Sequence, residues 1–413
     1  MIRKKNRWLA VSILMLLLLT PATAFAQEEQ SPAQTPTPEE YQQAEEQAQQ
    51  EFEEDYANML NGLDFSGLDQ RLQDDSLAQG ILGSGTIRDL VDKAARGELD
   101  MDAGGMLQAI GSLFFSQIRA HLYIILEFVA LAVLMSLMGA VGPKVLSGEV
   151  SELCSFIAYL VAIGFAVHSL SGVFAIGVEA ISNMTGLMQS IFPVMLTLLT
   201  AIGSSISAGI FKPAMTLLTG TIITLVQKVS LPAILVSGLL TIVQHISPKV
   251  QIEQMTKLVM KCAQWLTTVV FVIFLGVTAL QGLSGAAFDG ITIRTAKFAI
   301  NKFVPIVGGM FSDTVDTLIG CGVVIKQGVG MIGLILLATT ALRPVLQIMA
   351  IAITYKIAAA VIEPFGEKRL TSCLSGLSHV FTLLYIAVLA AGAMMFILTT
   401  LMIRAGNINV MMR

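Results

Sequence analysis

Asp313 and Asp316 stand three residues apart in an otherwise apolar, glycine-rich stretch, a spacing that places both carboxylates on one face of a helix. Ionisable groups at membrane depth are costly and face a bundle interior or an aqueous path. Gly308, Gly309, Gly320 and Gly322 punctuate the same segment, and Lys326 closes it. A second segment, Ile202 to Ile210, holds Gly203, Ser204, Ser205, Ser207 and Gly209 among apolar residues. Backbone freed from a helix inside a bilayer must be satisfied by protein or by a water-lined cavity. Paired glycine-interrupted segments therefore point to a transporter-type site or a pore. If Val307 to Gly322 instead bends back toward the surface, the two carboxylates become solvated caps among headgroups. Glu127 lies inside an apolar span but near enough to His121 to reach water. Lys228, Lys326, Arg343 and Lys356 can snorkel along their stems, and anchoring at the interface is the expectation for them.

Enzyme chemistry finds no foothold. His121, His168, His245 and His379 are isolated, without metal-ligand spacing or a nearby acid completing a helical zinc motif. Neither a phosphate-cradling loop nor a nucleophile elbow occurs, and no cofactor motif is present. Cys154, Cys262, Cys321 and Cys373 form no close pair, so they read as small hydrophobes rather than as a disulfide framework or zinc site. The expectation is a protein without catalytic, cofactor-binding or metal-binding residues.

The elements that position these residues are membrane spans. The chain is 54% hydrophobic and 13% charged, against roughly 45–50% apolar and about 25% charged in soluble domains. His121 to Gly142, Leu153 to Gly172, Cys262 to Gly285 and Gly376 to Ile403 each supply the roughly 20 apolar residues that a hydrocarbon core of about 30 Å requires. Charge is divided unevenly. Gln27 to Arg119 carries 19 acidic and 5 basic residues, a balance of -14, whereas Ala120 to Arg413 carries 16 basic and 10 acidic, a balance of +6. So acidic a head excludes nucleic acid as a partner; the bilayer is the partner of the remainder.

Arg3, Lys4, Lys5 and Arg7 precede an apolar run and then Ala24-Phe25-Ala26, which predicts a signal peptide over 1–26, cleaved after Ala26. Residues 27–60 read as an acidic linker, disordered and then polar-helical. Residues 61–119 read as extracytoplasmic amphipathic helices. The clearest spans Thr86 to Gly97, with Thr86 and Asp89 as a capping pair, Ile87, Leu90, Val91 and Ala94 on one face, and Gly97 as the stop. Residues 120–413 form the polytopic body. The fold class is all-α, a polytopic helical membrane protein with an acidic external head. With that head outside, Lys144 falls in a cytoplasmic turn, as the positive-inside rule requires.

Within the body, Pro193 and Pro305, Lys212 and Lys326, Pro232 and Pro344, Pro248 and Pro364, and Cys262 and Cys373 recur in one order at offsets of 112, 114, 112, 116 and 111 residues. Duplication of a unit of about 110 residues, with halves at 187–285 and 303–404, explains that order. Proline and lysine also collect at span boundaries, which gives such an order without duplication.

The stretch from Phe303 to Lys326, with the run VPIVGGMFSDTVDTLIGCGVVIK, resembles the signature region of the stage III sporulation protein AE family. The run ITYKIAAAVIEPFGEKRLTSCLSGL from Ile353 to Leu377 is similar to that family's other marked block. The resemblance covers most of Thr86 to Arg413 and implies a non-enzymatic membrane component of the channel or secretion-like complex that joins mother cell to forespore after engulfment. It also implies residence in the mother-cell-derived membrane around the forespore. The implied partners are other proteins of the stage III sporulation operon and, indirectly, the forespore-side channel protein. Two roles fit that setting, a permease-like pore and a scaffold on which ring-forming partners assemble. An unrelated secondary transporter is the reading outside it.

Overall fold

The computed structural model describes residues 38–83, 85–99, 103–145, 148–246, 252–303 and 308–405. The signal sequence and most of the Pro-rich linker lie outside the described residues, as do Pro248 and the side chain of Asp313. Every regular element among the described residues is helical. Helix α1 spans Pro38–Asn61. Three short helices follow, α2 (Ser66–Asp74), α3 (Ser76–Leu82) and α4 (Ile87–Arg96). The body consists of α5 (Ala103–Ala120), α6 (Leu122–Val145), α7 (Gly148–Ala201), α8 (Ser205–Thr216), α9 (Leu231–Ile246), α10 (Glu253–Phe303), α11 (Gly308–Ile362) and α12 (Lys368–Arg404).

Among the described residues six helical stretches are long and apolar enough to cross a membrane: Gly104–Met138, Leu153–Ala201, Ser205–Ile246, Glu253–Ala279, Thr314–Phe365 and Lys368–Arg404. Their outer surfaces are those of lipid-facing helices, with Leu126 72% and Trp265 66% exposed. The segment Leu107 to Ile118, read from sequence as part of the amphipathic head, runs through a single turn residue at His121 into α6. Leu107 and Phe115 are exposed on it, as on a spanning helix.

α7 and α11, like the 51-residue α10, exceed any bilayer. At about 1.5 Å per residue, α7 with 54 residues and α11 with 55 reach roughly 80 Å, against a hydrocarbon core of roughly 30 Å. The excess is covered by protein. Gly67 of α2 sits against Ser190 of α7, where an added Cβ would come within 2.9 Å of the hydroxyl, and Gly328 of α11 sits under Val91 of α4, 2.8 Å from its carbonyl oxygen on the same measure. Small residues allow such backbone approach between helices. Gly328, Gly330 and Gly333 of α11 in turn admit α4, Ile403 of α12 and Ile191 of α7, so three neighbours close on one helix within six residues.

α4 forms as its residues dictate. Thr86 Oγ1 accepts from the Asp89 amide at 3.3 Å, the Asp89 carboxylate accepts from the Thr86 amide at 3.4 Å, and Gly97 at φ 73° ends the helix. Ile87, Leu90 and Val91 are buried. Asp69 from α2 accepts from the Ile87 amide at 2.7 Å and so holds the helix start in place.

Candidate functional site

The first glycine-rich segment is a helix stop followed at once by a helix start. Gly203 has φ 76°, which an L side chain adopts only with strain. Its amide donates to Thr200 O at 3.0 Å and the Ser204 amide to Leu199 O at 2.9 Å, so the last carbonyls of α7 are satisfied by the paired bonds of a left-handed glycine stop. Ser205 opens α8, and Gly209 sits inside it with open space where a Cβ would stand. Ser204 is 0% exposed and its hydroxyl has no hydrogen-bond partner. Further on, π-helical turns occupy Leu217–Ile223 and Val226–Ser230, an irregularity that no residue pattern announces.

The second segment is continuous. Gly308, Gly309, Gly320 and Gly322 all lie within α11, so the turn at Gly203 has no counterpart 112 residues on, where Val315 is helical. The two segments nevertheless meet. A Cβ on Gly322 would strike the side chain of Ile202, with Met59 of α1 3.5 Å away on the same side. One residue earlier, Cys321 Sγ is 3.6 Å from the carbonyl oxygen of Phe52. Gly320 and Gly322 thus form a close-packed joint of α1, α7 and α11. Asp316 is half-buried two residues after the start of that span.

Lys326 is not an interfacial anchor. It is 0% exposed, and its ammonium donates to the carbonyl oxygen of Ala405 just past the end of α12. The final carbonyls of a helix lack internal partners and carry partial negative charge, so a lysine there is a cap rather than a snorkel. Lys228, Arg343 and Lys356 are exposed.

In the head, the Arg96 guanidinium joins Asp92 and Glu53, each at 3.0 Å. These contacts raise its pKa above the ordinary value, the Asp92 hydrogen bond contributing most. Burial raises the Tyr56 phenol well above its ordinary value, and the nearby Asp92 charge adds to the effect. No hydrogen bond of normal geometry reaches Tyr56 Oη.

Two cavities with polar groups among their wall residues adjoin between α7 and α11. The outer, about 460 Å³, is walled by Arg71, Asp74 and Asp75 of the head and by Glu179, Asn183, Thr339 and Arg343 of the body. The inner, about 390 Å³, is walled by His121, Tyr123, Glu127 and Phe128, by Phe165, His168 and Ser169, and by Ile351 and Tyr355. Ile176 borders both. A third, of about 1170 Å³, lies among α9, α10 and α12, with Lys257, Lys261, His245 and His379 on its walls. Of these wall residues Glu127 and Arg343 stand out in the sequence, as charges within apolar stretches. The others come from helices far apart in the chain, and an isolated histidine or tyrosine in apolar sequence carries no spacing signal. Among the described residues no group of three or more His, Cys, Asp or Glu could hold a metal ion.

A model of the stage III sporulation protein AE family matches residues 86–406. A stage III sporulation protein AE of Bacillus subtilis (strain 168) is 32% identical over 307 residues, which cover 74% of this chain and 77% of that relative. No solved structure matches the chain.

Proposed function

The chain belongs to the stage III sporulation protein AE family, and from that membership we propose that it is a non-enzymatic component of the mother cell to forespore channel complex whose body forms a conduit. It acts in the mother-cell-derived membrane after engulfment, with its acidic head in the intermembrane space. Its partners there are other proteins of the stage III operon and, through them, the forespore-side channel protein. Membership in a sporulation family sets aside the unrelated secondary transporter.

The stacking of the outer and inner cavities along one helix pair, with Ile176 between them, carries the conduit reading. The rise from Arg343 to Glu363 along α11 is about 30 Å at 1.5 Å per residue, the thickness of a hydrocarbon core. On that scale Arg343 and Glu179, which share the outer cavity, mark one membrane face. Tyr355 and the inner cavity fall near mid-depth. Polar walls at that depth are retained where they line an aqueous or ligand path. The head helices α2 and α3 contribute charged residues to the mouth, so whatever docks on the head can act on the entrance.

The test is solute flux in liposomes holding the purified full-length protein, with and without its operon partners, read as release of carboxyfluorescein and uptake of a labelled amino acid. Flux that depends on the protein supports the conduit. Recruitment of partners to the liposomes without flux in either condition overturns it in favour of the scaffold.

A further inference from the structure

The walls of the inner cavity hold polar atoms that make no hydrogen bond of normal geometry within the protein. Tyr355 is 0% exposed, and its Oη has no hydrogen-bond partner. Ser169 stands on the same wall without forming a hydrogen bond of normal geometry to it. His121, at the turn between α5 and α6, has both ring nitrogens buried and unpartnered. Leaving one such group unpaired costs about 1–3 kcal/mol. Three of them on the walls of one cavity mark a space that receives polar matter.

The charge and shape of that space narrow what it receives. Among the described wall residues Glu127 is the one carboxylate, and neither lysine nor arginine is present to balance it. An anion is therefore excluded. The apolar walls are aromatic: the ring of Tyr355 meets Phe128 edge-on at 5.6 Å and is backed by Phe381 at 5.0 Å and 87°, an arrangement that fixes its orientation. Aromatic faces beside a carboxylate attract an organic cation, and the volume of about 390 Å³ falls in the range of small-molecule sites.

We propose that the cavity bounded by Glu127, His121 and Tyr355 is a binding site for a primary alkylammonium group. The ammonium has three N–H donors and no acceptor. Glu127 offers a carboxylate, His121 a ring nitrogen and Tyr355 a phenolic oxygen, while the alkyl part lies against Tyr123, Phe128 and Phe165. Two sources present that chemistry, a free amine and the headgroup of an aminophospholipid. The proposal does not depend on conduction, since a site can bind without passing its ligand.

The experiment is calorimetric titration of the full-length protein, in detergent free of aminolipid, with n-butylammonium chloride. It is run at pH 8. Saturable binding is expected, absent with n-butanol and sodium butyrate, and at least about tenfold weaker in Glu127→Gln and in Tyr355→Phe, since a tenfold change is the size of one charge-assisted hydrogen bond. Failure of the wild type to bind, or equal binding by both variants, overturns the proposal. Should Glu127→Gln not purify, Tyr355→Phe makes the same comparison by removing one oxygen. Phosphatidylethanolamine added to the detergent weakens n-butylammonium binding if the natural ligand is a lipid headgroup and leaves it unchanged if the ligand is a free amine. Flux and amine binding are separate readouts, so failure of one leaves the other standing.

Discussion

The buried ammonium of Lys326 on α11 donates to the carbonyl oxygen of Ala405, 79 residues later, and so ties the middle of one long helix to the end of the last. The contact joins a donor in need of desolvated acceptors to a helix terminus with carbonyls to spare. Removing only the lysine leaves that terminus unpaired. Lys326→Met should therefore lower stability by about 1–3 kcal/mol, seen as a lower Tm in detergent and reduced abundance in the membrane. A melt unchanged from wild type would show that the cap contributes nothing and that lysine is tolerated there rather than required.

The contact of Ile202 with Gly322 separates two roles that glycine can have in these segments. A Cβ on Gly322 collides with Ile202, whereas one on Gly209 meets nothing within 4 Å. Gly322→Val should thus destabilise the protein by about 1–3 kcal/mol through overpacking. Gly209→Ala, in a helix interior, should stabilise it by up to about 1 kcal/mol. The check is a pair of melts together with spore counts. A Gly209→Ala strain that folds well but fails to sporulate would restore a pore-lining role for that backbone.

Apolar length announced the helical body, and the Thr86, Asp89 and Gly97 pattern announced α4 with its caps, because both signals are local. Gly203 was legible as an interruption for the same reason, a left-handed position that one residue type fills. Continuity of α11 through Gly308, Gly309, Gly320 and Gly322 was not legible. Gly320, Gly322 and Gly328 serve contacts with Phe52, Ile202, Met59 and Val91, partners from 120 to more than 260 positions away in the chain. The cavity walls were hidden likewise. Tyr355 and His121 become chemically special only when α6, α7 and α11 leave their polar atoms without partners.

Acid should loosen the head by a definite route. The hydrogen bonds of Thr86 hold the Asp89 carboxyl below its ordinary pKa, and those of Ser66 do the same for Asp64. A depressed folded-state pKa contributes stability that is present above the unfolded value, about 3.9 for Asp, and is lost as pH falls through the folded value. Asp89→Asn should therefore melt below wild type at pH 7, and the gap should close as the pH drops through about 4 and below. Thr86→Ala should cost about 1 kcal/mol through loss of the cap. A gap between wild type and Asp89→Asn that persists undiminished at pH 3 would exclude the carboxylate charge as its source.

Asp313 and Asp316 remain the sharpest test of whether charge near the start of α11 serves transport. If they line an aqueous path, the double Asp313→Asn, Asp316→Asn variant should impair sporulation after engulfment at normal protein abundance, because the change keeps size and hydrogen bonding while removing charge. Normal spore counts would remove this pair from the conduit. Reduced abundance on membrane blots would assign the carboxylates a folding role instead.

Ile176 offers the most direct test of the stacked cavities, because one apolar side chain borders both. Ile176→Ala removes part of the partition and should increase flux through liposomes severalfold. Ile176→Phe adds bulk at the same place and should reduce flux. Ile176 is half-buried rather than a core residue, so Ile176→Ala should cost less than the 2–5 kcal/mol typical of a fully buried truncation, roughly 1–2 kcal/mol. Melting temperature monitors this independently of flux. Opposite changes in flux with similar melts place the restriction at Ile176. Equal flux in both variants places the path elsewhere in the body, with the large basic cavity among α9, α10 and α12 the next to be tested by substitution at Lys257 and Lys261.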